Sequence, residues 1–141
     1  MNYVIDTSVA FKWVVAETDS AKATALRDDF RKGIHSLLTA DLFPAEIANS
    51  LLIAERRGRI KAGEWPLFFL DIMRSTPVIH AASLHLVRTY EIASLIHASI
   101  YDSLYIALAE NKSCTLVTAD DKLFRKAKTH FPFVIQLSGM P

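Results

Sequence analysis

With 141 residues, 51% of them hydrophobic and 22% charged, the chain has the length of one globular domain with ample core material, and none of its apolar runs reaches the roughly 18 residues of a membrane span. A single cysteine, Cys114, excludes a disulfide framework and a thiolate metal cluster; with no charged start, apolar centre and small-residue cleavage site, the reducing cytoplasm is the expected location. A formal net charge of +1 exerts no global pull on nucleic acid, so any such contact must come from local clusters.

Tyr3-Val4-Ile5 is apolar without alternation, which predicts a strand covered on both faces, as in a parallel sheet. Asp6 follows at its carboxyl end, where ligands bind in open α/β sheets. Asp6 also reads as the N-cap of the next helix, a place that Thr7 or Ser8 can fill as well. A short helix is expected from Ser8 to Val15, and a longer one capped by Asp19 or Ser20, running through Lys32 to a stop at Gly33, with Ala23, Leu26 and Phe30 as its buried stripe. Residues 36–39 read as a second strand. Residues 41–57 form the next predicted helix, with Pro44 in its first turn and Gly58 at its end. Glu46 and Asn49, three apart, share one face of it, and Ile47, Leu51 and Ala54 lie on an adjacent apolar face.

The basic run Arg56-Arg57-Gly58-Arg59-Ile60-Lys61 leads to a predicted helix over 62–74 carrying Trp65, Leu67, Phe68, Phe69, Leu70, Ile72 and Met73. Residues 77–79 read as a third strand and 82–94 as a helix built on Leu84, Leu86, Val87 and Tyr90. Ser99 caps the next helix, which runs through Asn111 with Ile100, Leu104, Ala107 and Leu108 inward. Asp102 falls in its first turn, where the helix dipole favours negative charge. Thr115-Leu116-Val117-Thr118 is the clearest internal strand and delivers Asp120 just past its end; a short helix over 121–129 and a strand over 133–136 close the chain. This alternation, without linker or repeat, predicts a single α/β domain over 1–141 with a mainly parallel sheet of four or five strands.

Four acids stand out: Asp6, Glu46, Asp102 and Asp120. Parallel strands bring Asp6 and Asp120 to the same sheet edge, and returning helices can add the other two. Four converging carboxylates repel one another and raise their pKa values unless a cation balances them. Oxygen-only ligation, with no His or Cys, selects Mg²⁺ or Mn²⁺, ions that bind phosphates and activate water. Taken singly, each acid also reads as a cap or a solvated charge. His35, His80, His85, His97 and His130 lie outside these stretches without paired ligand spacing and read as surface or core residues.

Val4-Ile5-Asp6-Thr7-Ser8, Pro44-Ala45-Glu46-Ile47-Ala48-Asn49-Ser50-Leu51, the stretch from Tyr101-Asp102-Ser103 to Ala109, and Leu116-Val117-Thr118-Ala119-Asp120 resemble, in order and spacing, the motifs of PIN domains and among them the VapC-type toxins. The resemblance spans nearly the whole chain and implies a PIN-like three-layer α/β/α domain. It implies a Mg²⁺ or Mn²⁺ site of Asp6, Glu46, Asp102 and Asp120, supported by Thr118, Ser8 and Asn49. It further implies metal-dependent endoribonuclease activity as the toxin of a type II toxin–antitoxin pair. Asp121, directly after Asp120, is an alternative fourth acid; the motif places an acid two after the threonine and so favours Asp120.

For RNA, Lys122, Arg125, Lys126 and Lys128 lie beside Asp120, and Arg56, Arg57, Arg59 and Lys61 form a second basic cluster that reads equally as a solvated face. Two other readings compete with the nuclease. A catalytically silent PIN-like module would only bind RNA or protein. A receiver-like phosphoacceptor wants paired acids after the first strand, whereas here Thr7 follows Asp6, and residues 77–79 lead into His80. The helix around 65–73 is apolar on more sides than one buried stripe requires. With the resemblance, that predicts a homodimer in which Trp65, Phe68 and Phe69 serve an interface, and a groove with the Ile47–Leu52 helix for a VapB-like antitoxin. An antitoxin arginine reaching Asp6, Glu46 or Asp102 would compete with the metal.

Overall fold

The apolar runs at the centre of the sheet become strands covered on both faces, while the edge strand at 78–80 stays largely exposed. The computed structural model describes residues 1–141, with strands β1 (Asn2–Ile5), β2 (Ser36–Ala40), β3 (Val78–His80), β4 (Thr115–Thr118) and β5 (Val134–Gln136). All neighbours pair in parallel, in the order β3-β2-β1-β4-β5. The helices are α1 (Thr7–Phe11), α2 (Ser20–Arg31), α3 (Phe43–Arg56), α4 (Trp65–Met73), α5 (Leu86–Ile96), α6 (Ile100–Lys112) and α7 (Asp121–Ala127).

Successive strand residues feed two separate cores. Tyr3 and Ile5 of β1 and Val117 of β4 pack with α1–α4 side chains such as Phe11, Ala23, Ile47, Leu51 and Ile72. Val4, Leu116 and Val134 point the other way, onto Ile92, Tyr105, Ile106, Leu108 and Leu123 of α5–α7. The result is a three-layer α/β/α sandwich whose sheet is buried on both sides. No single helix is long and apolar enough to cross a membrane.

Strand β1 is central, and the chain leaves it first toward β2 and β3, then returns to its other side with β4 and β5. The carboxyl ends of β1 and β4 therefore flank the point where the winding reverses, the crevice where open α/β sheets take their ligands.

Several local expectations need correcting. The first helix stops at Phe11 instead of Val15; Trp13 and Val15 leave helical geometry to fill the core, the indole N–H donating to Ala23 O at 2.9 Å. The residue that caps α1 is Asp6, whose carboxylate accepts from Ser8 N–H, and neither Thr7 nor Ser8. Helix α4 starts at Trp65, three residues later than predicted, because Gly63 sits at φ +83° and Pro66 suits only a first turn. Residues 82–85 form a 3₁₀ turn before α5.

The largest difference is the phase of α5. Leu84, Leu86, Val87 and Tyr90, the apolar residues on which the sequence builds this helix, are exposed, while Thr89, Ile92 and Ile96 are buried. Burial of Thr89 is tolerated because its hydroxyl donates to His85 O at 2.7 Å. Ile100, read as inward on α6, is also exposed. On α4, Phe68 and Phe69 are half-buried against the core, and the side chains that stand out are Leu67 and Leu70, with Trp65 at 37% exposure.

Candidate metal centre

Asp6 is 6% exposed and directly follows β1. Its Oδ1 accepts from the Ser8 backbone N–H at 3.1 Å and from the Ser8 hydroxyl, and its Oδ2 accepts from the Thr118 hydroxyl at 2.5 Å. Each hydroxyl is itself anchored from β4: Ser8 Oγ accepts from Ala119 N–H at 2.8 Å, and Thr118 Oγ1 from Asp120 N–H at 3.1 Å. The carboxylate is thus fixed by two hydroxyls whose own positions are set by the turn after β4. Asp120 caps α7 by accepting from Leu123 N–H at 3.0 Å.

Glu46 sits in the first turn of α3 and Asp102 in the first turn of α6, whose N-cap is the Ser99 hydroxyl. Glu46 Oε1 accepts from Tyr105 O–H at 2.5 Å. Tyr105 is 1% exposed, and burial together with the neighbouring Glu46 charge pushes its phenol far above the usual range, so it remains a donor. Sequence reasoning gave Tyr105 no role. The available signal was a phenol in the aliphatic inward row of α6, one turn beyond Asp102, because a buried tyrosine needs a partner for its hydroxyl.

The electrostatics are those of crowded carboxylates. Burial pushes Asp6 up to about 6; the Ser8 and Thr118 hydroxyls offset part of this, and the charges of Asp102 and Asp120 add to it. Burial raises Glu46, the Tyr105 hydroxyl lowers it, and Asp102 raises it further. Asp102 is raised by burial and by Asp120, and partly relieved by Ser99, Lys126 and Lys122. Asp121 bears on none of these groups; its carboxylate instead accepts from Gln136 Nε2. Geometry therefore separates the adjacent acids, with Asp120 facing the cluster and Asp121 facing β5.

As the side chains stand, no three carboxylates gather around one point closely enough to cage an ion. The donor set nevertheless suits Mg²⁺, which keeps several waters and takes one or two carboxylates together with substrate phosphate oxygens. All available donors are oxygens, and the mutual repulsion that adds to burial in raising these acids is what a divalent cation relieves.

The supporting residues separate. Ser8 and Thr118 touch Asp6 directly, while Asn49 is exposed and lines a cleft with Glu46 and Tyr101. Of the basic residues, Lys122 and Lys126 lie near Asp102, Lys126 also donating to His97 O at 2.6 Å. Arg125 turns back onto Asp121 O of its own helix. Arg56 and Arg57 stand exposed at the far end of α3 from Glu46. Trp65 shares a shallow apolar pocket with Ala48, Asn49 and Leu52, a groove between α3 and α4.

A family model described as PIN domain matches residues 3–129. No curated protein matches the sequence. Among solved structures the fold is similar to PAE2754 from Pyrobaculum aerophilum, with a TM-score of 0.73 and 21% identity over 98% of this chain and 85% of that one. It is similar to VapBC2 from Rickettsia felis, solved bound to a DNA fragment from their promoter, with a TM-score of 0.62 and 18% identity over 96% and 97%. Mycobacterium tuberculosis VapC20, a Sarcin-Ricin loop cleaving toxin, gives 0.64 and 15% over 92% and 95%.

Proposed function

Because the chain belongs to the PIN domain family, whose model spans most of its length, we propose that it is a Mg²⁺- or Mn²⁺-dependent endoribonuclease acting as the toxin of a type II toxin–antitoxin pair. The observation that carries this reading is the buried Asp6, tied through Ser8 and Thr118 to the end of β4 and raised by Asp102 and Asp120, at the reversal point of the sheet. Asp6, Glu46, Asp102 and Asp120 would hold the ion. When bound, such an ion supplies an activated water for in-line attack and screens the phosphate charge. Ser8 and Thr118 keep the Asp6 carboxylate oriented, Tyr105 holds that of Glu46, and Lys122 and Lys126 offer positive charge to an RNA backbone beside Asp102.

The direct test is cleavage of end-labelled RNA by the purified chain with Mg²⁺, Mn²⁺ or EDTA. Cleavage is expected with either metal and none with EDTA. It should be lost in Asp120→Asn and kept in Asp121→Asn, and the reverse order would transfer the fourth role. An inert wild-type chain that still binds RNA would make it a binding module instead.

Tyr105→Phe deletes the one side-chain hydrogen bond on Glu46 while keeping the ring. Loss of a group that orients a ligand costs about 10–100-fold in metal affinity, so half-maximal Mg²⁺ for cleavage should rise by about tenfold or more. An unchanged Mg²⁺ titration would remove Tyr105 from the site.

As partners we infer RNA, a VapB-like antitoxin and a second copy of this chain, in the cytoplasm. Leu67, Leu70 and Trp65 on α4 expose apolar surface beside the α3–α4 groove, the character of a protein interface. Light scattering should report a dimer for wild type and a monomer of unchanged fold for Leu67→Asp combined with Leu70→Asp. A wild-type monomer that also ignores the product of the neighbouring gene would remove both protein partners.

A further inference from the structure

Beyond the acids, the same crevice opens into a cavity that the metal chemistry leaves unused. It has a volume of about 430 Å³, and its near wall includes Ser8, the residue that orients Asp6, and Ala119. Its far side carries Lys12, Arg57 and Arg59 against one acid, Glu17, with Phe11 and Ile53 supplying apolar surface. A second cleft of about 350 Å³, holding Glu46, Asn49 and the exposed Tyr101, shares Thr7 and Ser50 with it. The two cavities therefore adjoin, one holding Glu46 and the Tyr101 ring and the other the cations and Ser8, which holds Asp6.

The cations are arranged unequally. Glu17 accepts from Lys12 Nζ at 3.3 Å and from Arg59 at 2.5 Å, and Lys12 also donates to Thr18 O at 2.8 Å. The Arg59 guanidinium carbon lies 5.4 Å from the centre of the Phe11 ring, which orients it further. Arg57, on the same cavity, has no carboxylate partner in any ion pair of the chain. Three cations and one anion leave positive charge unmatched in a cavity whose wall includes Ser8, the hydroxyl that holds Asp6. A binder of metal alone gains nothing from that excess, whereas a polyanion threaded past the acids does.

We propose that this cavity is a subsite for single-stranded RNA, holding the phosphate and sugar of a nucleotide beside the bond that is cut. Arg57 is the free contact, and Lys12 and Arg59 are positioned by Glu17. Tyr101, exposed in the adjoining cleft with Glu46, stacks a base of the neighbouring nucleotide. The inference rests on the nuclease reading and adds the path of the substrate to it. It also assigns Glu17 an opposing role, since its charge weakens the hold of the subsite on phosphate.

Binding is measured by fluorescence anisotropy with a labelled single-stranded RNA of about ten nucleotides, in the Asp6→Asn background so that the probe stays intact. Arg57→Ala should raise Kd about tenfold and reduce the slope of log Kd against log salt by about 0.7, the release expected for one phosphate contact on a single strand. Glu17→Gln should shift Kd the opposite way, a gain that mere structural damage would not produce. In the active chain, Arg57→Ala should raise KM and leave kcat unchanged. Equal Kd and salt slope in Arg57→Ala, or a loss confined to kcat, would overturn the subsite. So would unchanged RNA binding with weakened binding of a cognate antitoxin, which would assign the cavity to a peptide. Failure of the nuclease reading looks different: the chain without any substitution cuts no RNA in Mg²⁺, whatever the arginine does.

Discussion

Asp6→Asn leaves a folded protein that no longer cuts RNA. Asn keeps the size of Asp and an oxygen for the Ser8 N–H, and the Ser8 and Thr118 hydroxyls can rotate to suit the amide, so the hydrogen-bonded link between β1 and β4 persists. What disappears is the negative charge, and with it the most buried donor for a divalent ion. Losing a group that merely orients a ligand costs up to about a hundredfold, so losing this ligand should cost at least roughly a hundredfold in cleavage rate at saturating RNA. Glu46→Gln and Asp102→Asn should follow the same course. The check is initial rates over a Mg²⁺ series alongside thermal melts; full activity in Asp6→Asn would end the metal reading, and collapse of the fold in all the variants would make these acids structural caps.

The second large effect is a dependence of stability on pH that runs against ordinary acid denaturation. Asp6 titrates near 3.8 in the unfolded chain and is pushed up to about 6 in the fold. A carboxyl raised on folding contributes its stability in full below the unfolded value, and that contribution is lost as pH rises through the folded one. From below pH 3.8 to well above pH 6 the metal-free protein should therefore lose about 3 kcal/mol from Asp6 alone, about 2 kcal/mol of it between pH 4 and 6. Glu46 and Asp102, also raised, act in the same direction. Urea unfolding in EDTA should show the decline, Asp6→Asn should flatten it, and Mg²⁺ at pH 7 to 8 should restore stability by binding the native state. A metal-free protein that gains stability from pH 4 to 7 would contradict the burial and crowding of these acids.

These expectations depend on residues that the sequence discloses to different degrees. Asp6 and Asp120 are legible because short apolar strands deliver them, and strand ends are where parallel sheets place chemistry. Glu46 and Asp102 lie in helical first turns that look like any N-terminal acid, so only the spacing shared with a known family marks them. Both readings of Asp6 describe it: it caps α1 and it faces the other acids. The helix phase was hardest to read. In α5, apolar residues occur on two faces, and the buried one is marked by Thr89, a residue whose hydroxyl is satisfied inside its own helix and so leaves no hydrophobic signal. In α4 the aromatic residues drew attention as surface, yet Phe68 and Phe69 turn toward the core and the aliphatic Leu67 and Leu70 face out. The central position of β1 was not readable at all, since strand order arises from how crossovers pack and not from any one run.

That central position sets a timetable for synthesis. The hydroxyl that holds Asp6, on Thr118, is made 112 residues after it. At translation rates of about 5–20 residues per second, the interval is on the order of ten seconds. Until then one side of β1 has no β4 to pair with, and neither Thr118 nor Asp120 exists to complete the cluster. A growing chain that has not yet reached β4 is therefore disarmed by its own topology. Under the nuclease reading, the cell's RNA is safe from each molecule until residues 115–120 have been made and paired with β1, and only from then on is an antitoxin needed.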